Sequence, residues 1–344
     1  MSFDLITFGR ASIDLYSNNI GSEFNDIKEL STSIGGPPVN ISVGAQRLGL
    51  KTGIISAIGP DPIGGFIKNS LNKEGVDTTH LKIIEGTKST AVVCGIIPPD
   101  KFPLVFYRDN APDKKITPEH IKDINFSKYR SFLMTGTSFA VEPSRTTAFK
   151  ISEKAKKNEI PIFLDLDFRA NLWGNILDFG SVLRDYLKLT DIVIGTEEEV
   201  LSLNLTDVKQ VRIKNDSITQ PKIAGNLNDS IKIILNEGVK LLLVKTGAKG
   251  VIAYYNDGSV LKVPGFSVKV TNVLGAGDAF AGGFIYGYIN GWDDYKSLRL
   301  ANACGAWLVT KQGCCNFAPY YDCLLYTSDA ADEEDSVDLG GRRI

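Results

Sequence analysis

The chain has 344 residues, of which 43% are hydrophobic and 23% are charged, a balance that excludes disorder of the whole chain. The net charge of −2 and the pI near 5.9 lack the basic excess of phosphate-backbone binders, so nucleic acid is not an expected partner. Five cysteines without paired C-x-x-C spacing, no signal-peptide pattern and no membrane-spanning apolar run predict a cytoplasmic protein that acts on small molecules.

Short apolar runs rich in β-formers alternate with helical periodicity along most of the chain. The predicted strands are residues 5–8, 53–58, 132–135, 161–166, 192–194 and 241–245. The clearest predicted helices are residues 39–48, 63–74, 144–158 and 230–237, and glycines at positions 49, 75 and 238 mark three of their C-terminal ends. The alternation predicts an α/β fold with a mainly parallel central sheet that is covered by helices on both faces.

Two segments, about residues 12–33 and 89–110, break this alternation. Residues 89–108 have the pattern of two strands joined by a proline-rich turn, and we expect the two segments to pair as a small β-sheet lid. Residues 206–228 are polar and aperiodic, which indicates a surface insertion near the nucleotide side.

The C-terminal end has an unusual sequence. Residues 323–328 correspond to one reading frame of a common sequencing-library adapter, and residues 336–344 resemble translated adapter as well. We therefore expect residues 1–322 to form a single domain and residues 323–344 to be read-through that has no part in the fold. The alternative is a solvated acidic tail.

Residues 270–284, VTNVLGAGDAFAGGF, place Gly275, Ala276, Gly277 and Asp278 where a turn becomes a helix. Glycines let the backbone approach a ligand, and the first NH groups of a helix have no internal partner, so this turn suits a phosphate. A carboxylate beside a phosphate is repelled unless a proton or a cation lies between the two groups. A general base that takes a proton from the attacking hydroxyl must lie beside the phosphate in this way, and Asp278 is so placed in the sequence. The alternative is an ordinary N-cap aspartate.

The segment 275–284 resembles the catalytic signature of the ribokinase-like (PfkB) carbohydrate kinases, and the resemblance covers about residues 3–319. Residues 9–16 (GRASIDLY), 35–41 (GGPPVNI) and 59–66 (GPDPIGGF) are similar to the sugar-binding first half of that family. The resemblance implies a three-layer α/β/α ribokinase-like fold and ATP-dependent phosphorylation of a primary hydroxyl of a sugar or sugar acid. It also implies Mg²⁺, leaves room for a monovalent cation such as K⁺, and suggests a homodimer formed through the lid.

Residues 107–113 (YRDNAPD), 165–173 (DLDFRANLW) and 191–199 (DIVIGTEEE) most resemble the branch of the family that phosphorylates 5-dehydro-2-deoxygluconate in inositol catabolism. A 2-keto-3-deoxygluconate kinase, a fructokinase and a sugar-binding regulator without catalysis stay open as alternatives. A nicotinamide-dependent dehydrogenase is disfavoured, because no G-x-G-x-x-G follows the first predicted strand and the GAGD turn lies near the C-terminus instead.

Ligands bind at the carboxyl ends of the strands in such sheets. By resemblance, Asp14 and Asn40 hold sugar hydroxyls, although they could equally be a turn residue and a helix cap. Gly35 and Gly36 are further substrate-side candidates, which could let sugar approach the backbone or only form a turn. Arg108 and Arg169 could meet charged groups of the ligands or form structural ion pairs. Asp167 is the last candidate on this side. Strand alternation predicts that only one of Asp165 and Asp167 points into the cleft, and we expect Asp167 to do so.

For the nucleotide, the KTGAKG turn with Lys245, Gly247 and Gly250 resembles the glycine turn of the family on the ATP side, and Asn302 resembles its adenine wall. A plain hairpin and a helix-surface residue are the alternatives. Glu199 matches the acidic member of an Asn-x-x-Glu metal motif and could hold Mg²⁺ through water, or it could simply complement a helix dipole.

Two positions depart from the family pattern: Thr196 replaces the Asn of the metal motif, and Asn272 replaces an Asp before the glycines. Both departures concern metal binding. The mechanism implied by the resemblance has Asp278 accept the proton of the sugar hydroxyl as it attacks the γ-phosphate, while amides of residues 275–277 stabilise the moving group.

Overall fold

A computed structural model describes residues 2–98, 101–212 and 221–324. Its strands are β1 (Leu5–Phe8), β2 (Ser12–Ser17), β3 (Leu30–Gly35), β4 (Thr52–Ile58), β5 (Leu81–Ile83), β6 (Thr90–Cys94), β7 (Leu104–Tyr107), β8 (Phe132–Thr135), β9 (Ile162–Asp165), β10 (Ile192–Thr196), β11 (Val211–Arg212), β12 (Lys222–Ile223), β13 (Leu241–Lys245), β14 (Val251–Tyr255) and β15 (Val260–Val263). Its α-helices are α1 (Pro37–Leu48), α2 (Pro62–Lys73), α3 (Ser144–Lys157), α4 (Asp178–Leu187), α5 (Glu197–Ser202), α6 (Leu227–Asn236), α7 (Ala276–Ile289) and α8 (Asp294–Val309).

The main sheet has nine strands in the order β15-β14-β13-β10-β9-β8-β1-β4-β5. In this order, the strands from β13 through β5 run parallel to one another. Strands β14 and β15 pair antiparallel and extend the sheet beyond β13. The central strands β1, β4, β8 and β9 are buried along their whole length, as expected when helices cover both faces. The predicted α/β class is confirmed.

Alternate residues of the central strands supply two hydrophobic cores, one on each face of the sheet. On β8, Phe132 packs toward α3, α4 and α6, whereas Leu133 packs toward α1, α7 and α8. The result is the predicted three-layer α/β/α arrangement. The predicted helix ends also agree with the structure, because the glycines after α1, α2 and α6 have positive φ angles of 115°, 79° and 96°.

A second, four-stranded sheet, here called the small sheet, has the order β3-β2-β6-β7 and is formed by the two segments that interrupt the alternation. Strands β2 and β6 are parallel and the other two pairs are antiparallel. Its inner face carries Tyr16 and Phe106, which line a cavity, while Val105 and Tyr107 on the outer face are exposed. The predicted pairing of the two segments is therefore confirmed.

The predicted surface insertion at residues 206–228 is partly described. Strands β11 and β12 pair antiparallel within it, whereas residues 213–220 lie outside the described residues. The predicted read-through also lies outside them from residue 325 onward. In the described part of the chain, no helix is both long enough and apolar enough to cross a bilayer.

Candidate active site

Two adjoining cavities open at the carboxyl ends of the parallel strands, where the sheet topology predicts a site. The larger has a volume of about 430 Å³ and lies between the ends of β9, β10 and β13 and the start of α7. The smaller, of about 60 Å³, lies under the inner face of the small sheet. Four residues line both cavities and so form their boundary: Arg169, Leu274, Gly275 and Asp278.

Asp278 lies in the first turn of α7, at this boundary. The Asn40 side-chain amide on α1 donates a 2.7 Å hydrogen bond to Asp278 Oδ2. Burial raises the pKa of Asp278 to about 6, and Asp167 adds to the rise, while Asn40, Arg169 and Lys245 oppose it. The structure thus gives Asp278 a pKa near the range in which a general base works well.

The turn before α7 has a backbone geometry that requires glycine. Gly275 is the N-cap in the left-handed region, with φ of 80°, and a side chain there would overlap Cys314 Sγ. A Cβ at Gly277 would lie 2.8 Å from Lys245 Nζ, so the missing side chain lets that ammonium group approach the turn. The expectation that three amides are free is wrong for Ala276, whose NH donates a 3.3 Å bond to the carbonyl of Val273.

Charged side chains converge on the larger cavity. Arg169 pairs with Asp167 at 2.8 Å, and the guanidinium of Arg169 and the ammonium of Lys245 each lie 3.8 Å from Glu199. Although burial opposes the charge of both cations, neighbouring carboxylates raise the pKa of Arg169 and the pKa of Lys245. Both cations are therefore held charged at a position suited to phosphate.

The expectation that Asp165 points away from the cleft is wrong, since both Asp165 and Asp167 line the larger cavity. Strand β9 ends at Asp165, and Asp167 has a φ of 36°, so the alternation of an extended strand does not apply between them. Burial raises the pKa of Asp165 to about 8, with Glu199 and Asp278 adding to the rise and Lys245 opposing it. Sequence reasoning missed the part that Asp165 plays in this cluster.

Thr196 and Glu199 form a reciprocal capping box at the start of α5. The Glu199 carboxylate accepts the Thr196 NH at 2.7 Å, and Thr196 Oγ1 accepts the Glu199 NH at 3.2 Å. Thr196, which departs from the family pattern, is thus explained by its role as the N-cap of α5. The Glu199 carboxylate still lines the larger cavity. Among the described residues, no three potential ligand side chains are grouped to hold a metal by themselves.

Asn272, the second departure, is fully buried. Its Oδ1 accepts the NH of Leu274 at 3.0 Å and so fixes the turn that leads into Gly275. Its Nδ2 is buried without a hydrogen-bond partner in the described part of the chain.

The smaller cavity contains the predicted sugar-binding residues Asp14 and Asn40. Ser12 donates to the Asp14 carboxylate at 2.8 Å, and Tyr16 donates to it at 3.4 Å. Gly35 makes room for this carboxylate, because a methyl group at position 35 would overlap it. Gly35 therefore supports Asp14 rather than meeting the sugar itself, whereas Gly36, with φ of 101°, lines the cavity.

Arg108 does not lie where we expected it. It is buried, pairs with Asp113 at 2.7 Å and is not part of the lining of either cavity. Instead, Arg10 lines the smaller cavity, and sequence reasoning did not single it out. Its position two residues after the first strand, at the carboxyl end of β1, is the signal that would have found it.

The predicted nucleotide-side residues Lys245, Gly247, Gly250 and Asn302 all line the larger cavity. The two glycines form the tight turn between β13 and β14, closed by a 3.0 Å bond from the Gly250 NH to the Gly247 carbonyl. Asn302 donates to the Pro264 carbonyl at 2.9 Å and so ties α8 to the end of β15. Gly247, Gly250 and Asn302 therefore stabilise the local structure in addition to lining the cavity.

The geometry separates two ligand spaces and places one carboxylate between them. A ligand with hydroxyl groups in the smaller cavity and a phosphate chain in the larger one would meet at Asp278. The arrangement is suited to the transfer of a phosphoryl group to an alcohol.

A family model described as "pfkB family carbohydrate kinase" matches residues 2–320. The chain is 31% identical to a 5-dehydro-2-deoxygluconokinase from Clostridium botulinum, over 92% of this chain and 90% of the relative. It is 29% identical to a protein of the same name from Bacillus licheniformis, with 90% of each chain covered.

Two solved structures illustrate the shared fold. A putative ribokinase II from E. coli in complex with ATP and Mg²⁺ is 24% identical, with a TM-score of 0.79 over 96% of this chain and 100% of the neighbour. A fructokinase double mutant from Vibrio cholerae bound to fructose, ADP and potassium is 23% identical, with a TM-score of 0.78 over 94% of this chain and 98% of the neighbour.

Proposed function

Because this chain belongs to the pfkB family of carbohydrate kinases, we propose that it transfers the γ-phosphoryl group of ATP to 5-dehydro-2-deoxygluconate and yields the 6-phosphate. The observation that carries the proposal is the position of Asp278, which lies at the boundary of two cavities and accepts a hydrogen bond from Asn40. The choice of substrate rests on the relatives, which bear the name of that kinase and align along nearly their whole length.

In the proposed reaction, the sugar acid lies in the smaller cavity with its primary hydroxyl toward Asp278. The carboxylate of Asp278 accepts the hydroxyl proton as the oxygen attacks the γ-phosphorus, and ADP leaves on the opposite side. Arg169 and Lys245 stabilise the charge on the transferring group, together with the amides of Gly275 and Gly277. Asn40 holds the carboxylate in position for the proton transfer.

The residues of the larger cavity fit ATP with Mg²⁺. Asp167, Glu199 and Asp278 share this lining with two cations, Arg169 and Lys245, and with Asp165, whose raised pKa of about 8 keeps it mostly protonated at neutral pH. A divalent cation that enters with the nucleotide would offset the remaining negative charge and that of the phosphates. Mg²⁺ is usually held by one or two carboxylates and by substrate phosphates, and Glu199 is the candidate, through water. When bound, the ion supplies charge neutralisation on the phosphate oxygens. A monovalent cation such as K⁺ remains part of the proposal, since one structural neighbour contains it.

The test is a coupled ADP-release assay on 5-dehydro-2-deoxygluconate, 2-keto-3-deoxygluconate, fructose and ribose. We expect the highest kcat/KM for the first compound. A higher value for 2-keto-3-deoxygluconate or fructose would reject the assigned substrate, and ADP release with none of the four would reject the proposed function.

The Asp278→Asn variant tests the assigned base in the same assay. Loss of the base should lower kcat by about 10²- to 10⁴-fold while sugar binding persists. The matched control is Asp178→Asn in the first turn of α4, outside both cavities, which should keep the wild-type kcat. A wild-type kcat in Asp278→Asn would contradict the assignment.

The proposal also includes a homodimer formed through the outer face of the small sheet and a cytoplasmic location. Exposed Val105 and Tyr107 support the first, because contiguous apolar sheet surface is commonly covered by a second copy. The second is supported by the five free cysteines, four of them buried, which suit a reducing compartment.

A further inference from the structure

Arg10 is a buried cation for which the proposed reaction gives no role. It lies between β1 and β2, where the chain passes from the main sheet to the small sheet, and only 7% of its surface is exposed. Its Nε and Nη1 are buried without a hydrogen-bond partner in the described part of the chain. Because a buried charged donor without a partner is costly, this geometry suggests a partner that arrives with a ligand.

The surroundings hold the guanidinium in place without pairing it. Its central carbon lies 5.2 Å from the ring centroid of Phe106, on the inner face of the small sheet. Burial lowers the pKa of Arg10, and so does the like charge of Arg108, whereas Asp167, Asp14 and Asp113 oppose the effect. These acids compensate the charge only from a distance, since the described residues supply no partner to the two buried nitrogens.

Arg108 adds to the local positive charge. One of its terminal nitrogens pairs with Asp113, but its Nε and Nη1 also lack partners among the described residues. The positive charge of Arg108 therefore acts on Arg10, which lines the smaller cavity, while Arg108 itself lies outside that lining. An anion bound there would relieve the repulsion between them and satisfy the free donors.

A carboxylate suits this position better than a phosphate. Arg10 lines the smaller cavity and is not part of the lining of the larger one, where the phosphates of ATP belong. Asp278, at the boundary with the larger cavity, marks the place of the reacting hydroxyl. A sugar acid carries its carboxylate at the opposite end of its carbon chain from the primary hydroxyl. Arg10 would then meet that end, and its planar fork matches a carboxylate.

We propose that Arg10 is the residue that selects a carboxylate-bearing sugar, binding the carboxylate through its free NH groups, and that Arg108 is a positioning residue behind it. This inference rests on the proposed function, because it names the residue that binds the carboxylate of the proposed substrate. It differs from the sequence-based expectation, in which Arg108 and Arg169 were the anion-binding residues.

The test compares two substrates of nearly the same shape, one with a carboxylate and the other with a neutral group in its place: 5-dehydro-2-deoxygluconate and its primary amide. We expect the wild-type enzyme to prefer the acid by about 10²-fold in kcat/KM, as for a hydrogen-bonded charged pair. In Arg10→Gln, kcat/KM for the acid should fall by about 10²-fold, while kcat/KM for the amide changes by less than about threefold. The preference for the acid should then disappear.

Two further variants control for charge and folding. Arg10→Lys keeps the charge without the planar fork and should retain only part of the preference. It also serves as the measured variant if Arg10→Gln fails to fold. Arg130→Gln is the matched arginine control, since Arg130 pairs with Asp4 at the surface and lies outside both cavities. It should leave both kcat/KM values unchanged.

The possible failures are distinguishable. If the wild-type enzyme phosphorylates the acid but Arg10→Gln loses the acid and the amide equally, Arg10 has a structural role and the inference is wrong. Equal wild-type activity on acid and amide would also overturn it. A wild-type enzyme that is inactive on the acid would overturn the proposed substrate, whatever the variants do.

Discussion

Asp278 is the residue to which the proposed reaction assigns the proton transfer, and its environment sets its pKa. Its carboxylate lies among one hydrogen-bond donor, Asn40, two cations, Arg169 and Lys245, and one further carboxylate, Asp167, that acts on its pKa. Burial exceeds the effect of the donor and the cations, so the pKa is raised rather than lowered. A base with such a pKa is deprotonated at neutral pH and still has useful affinity for the proton.

This environment predicts the pH dependence of the reaction. Protonated Asp278 cannot accept the hydroxyl proton, so kcat/KM should fall by about tenfold per unit as pH drops below about 6. In Asp167→Asn, loss of a like charge should lower the pKa of Asp278 and so move this acidic limb of the pH profile to lower pH. The measurement is the pH profile of kcat/KM. A limb that persists unchanged in Asp278→Asn would show that another group controls it.

Gly35 provides a second prediction at the residue scale. In Gly35→Ala, the methyl group would overlap the Asp14 carboxylate and displace it from its bonds to Ser12 and Tyr16. We expect KM for the sugar to rise at least about tenfold, as for the loss of a hydrogen bond to a charged group, with little change in KM for ATP. Steady-state kinetics with each substrate varied would measure this.

Gly65→Ala is the matched control for Gly35→Ala. Gly65 lies within α2 and is exposed, and a methyl group added there would have no neighbouring atom within 4 Å. Alanine is favoured over glycine inside a helix by about 0.5–1 kcal/mol, so this variant should be as stable as the wild type or more so, with unchanged kinetics. An unchanged sugar KM in Gly35→Ala would contradict the assigned part of Asp14.

At the scale of elements, Asp61 connects helix α2, which packs beside the main sheet, to the small sheet. It caps α2 by accepting the Gly64 NH at 2.8 Å, and its other oxygen accepts the Ser89 NH at 2.8 Å, one residue before β6. Although burial opposes the effect, these two amides lower the pKa of Asp61. The charged cap is therefore retained well below neutral pH, and its contribution is lost only as pH falls through that lowered pKa.

Asp61→Ala should thus have two effects. Loss of the cap should lower the free energy of unfolding by about 1 kcal/mol, and release of β6 should raise KM for the sugar. Asp293→Ala is the control, since Asp293 caps α8 by accepting the Lys296 NH at 2.8 Å but has no contact with the small sheet among the described bonds. Chemical denaturation and kinetics on both variants would separate the effects. Equal sugar KM values in the two variants would contradict the anchoring role.

At the scale of the whole molecule, the small sheet has two faces with different composition. Its inner face carries Asp14, Tyr16 and Phe106 over the smaller cavity, while Val105 and Tyr107 on the outer face are 38% and 63% exposed. The sheet can therefore cover the sugar with one face and meet a second copy with the other. Covering the sugar would exclude water that otherwise hydrolyses ATP.

The proposed homodimer gives a testable consequence. Placing a lysine at Tyr107 should break the dimer, because a desolvated charge would face the partner. Light scattering after size exclusion should give a dimer for the wild type and a monomer for Tyr107→Lys. Val260→Lys, on the exposed edge strand β15, is the control and should remain dimeric. A monomeric wild type at micromolar concentration would contradict the proposal.

The sequence by itself determined the fold class, the approximate bounds of several central strands and helices, and the turn at residues 275–278. These features depend on local patterns: apolar periodicity, proline and glycine positions, and the free amides at a helix start. Strands β1, β8 and β13 begin and end where the pattern predicts. Helices α1 and α2 begin one or two residues earlier than predicted, at prolines, because the fixed φ of proline suits the first helical position.

Only the tertiary structure decided which side chains meet. Asn40 reaches Asp278 across 238 residues of sequence. Arg108 pairs with Asp113, while Arg10, which lines the smaller cavity, has two nitrogens without partners among the described residues. Asp165 and Asp167 both line the larger cavity, because the backbone leaves the extended conformation after Asp165 and has a positive φ at Asp167. Such outcomes depend on how distant elements pack and on which charges find partners, and no local pattern contains that information.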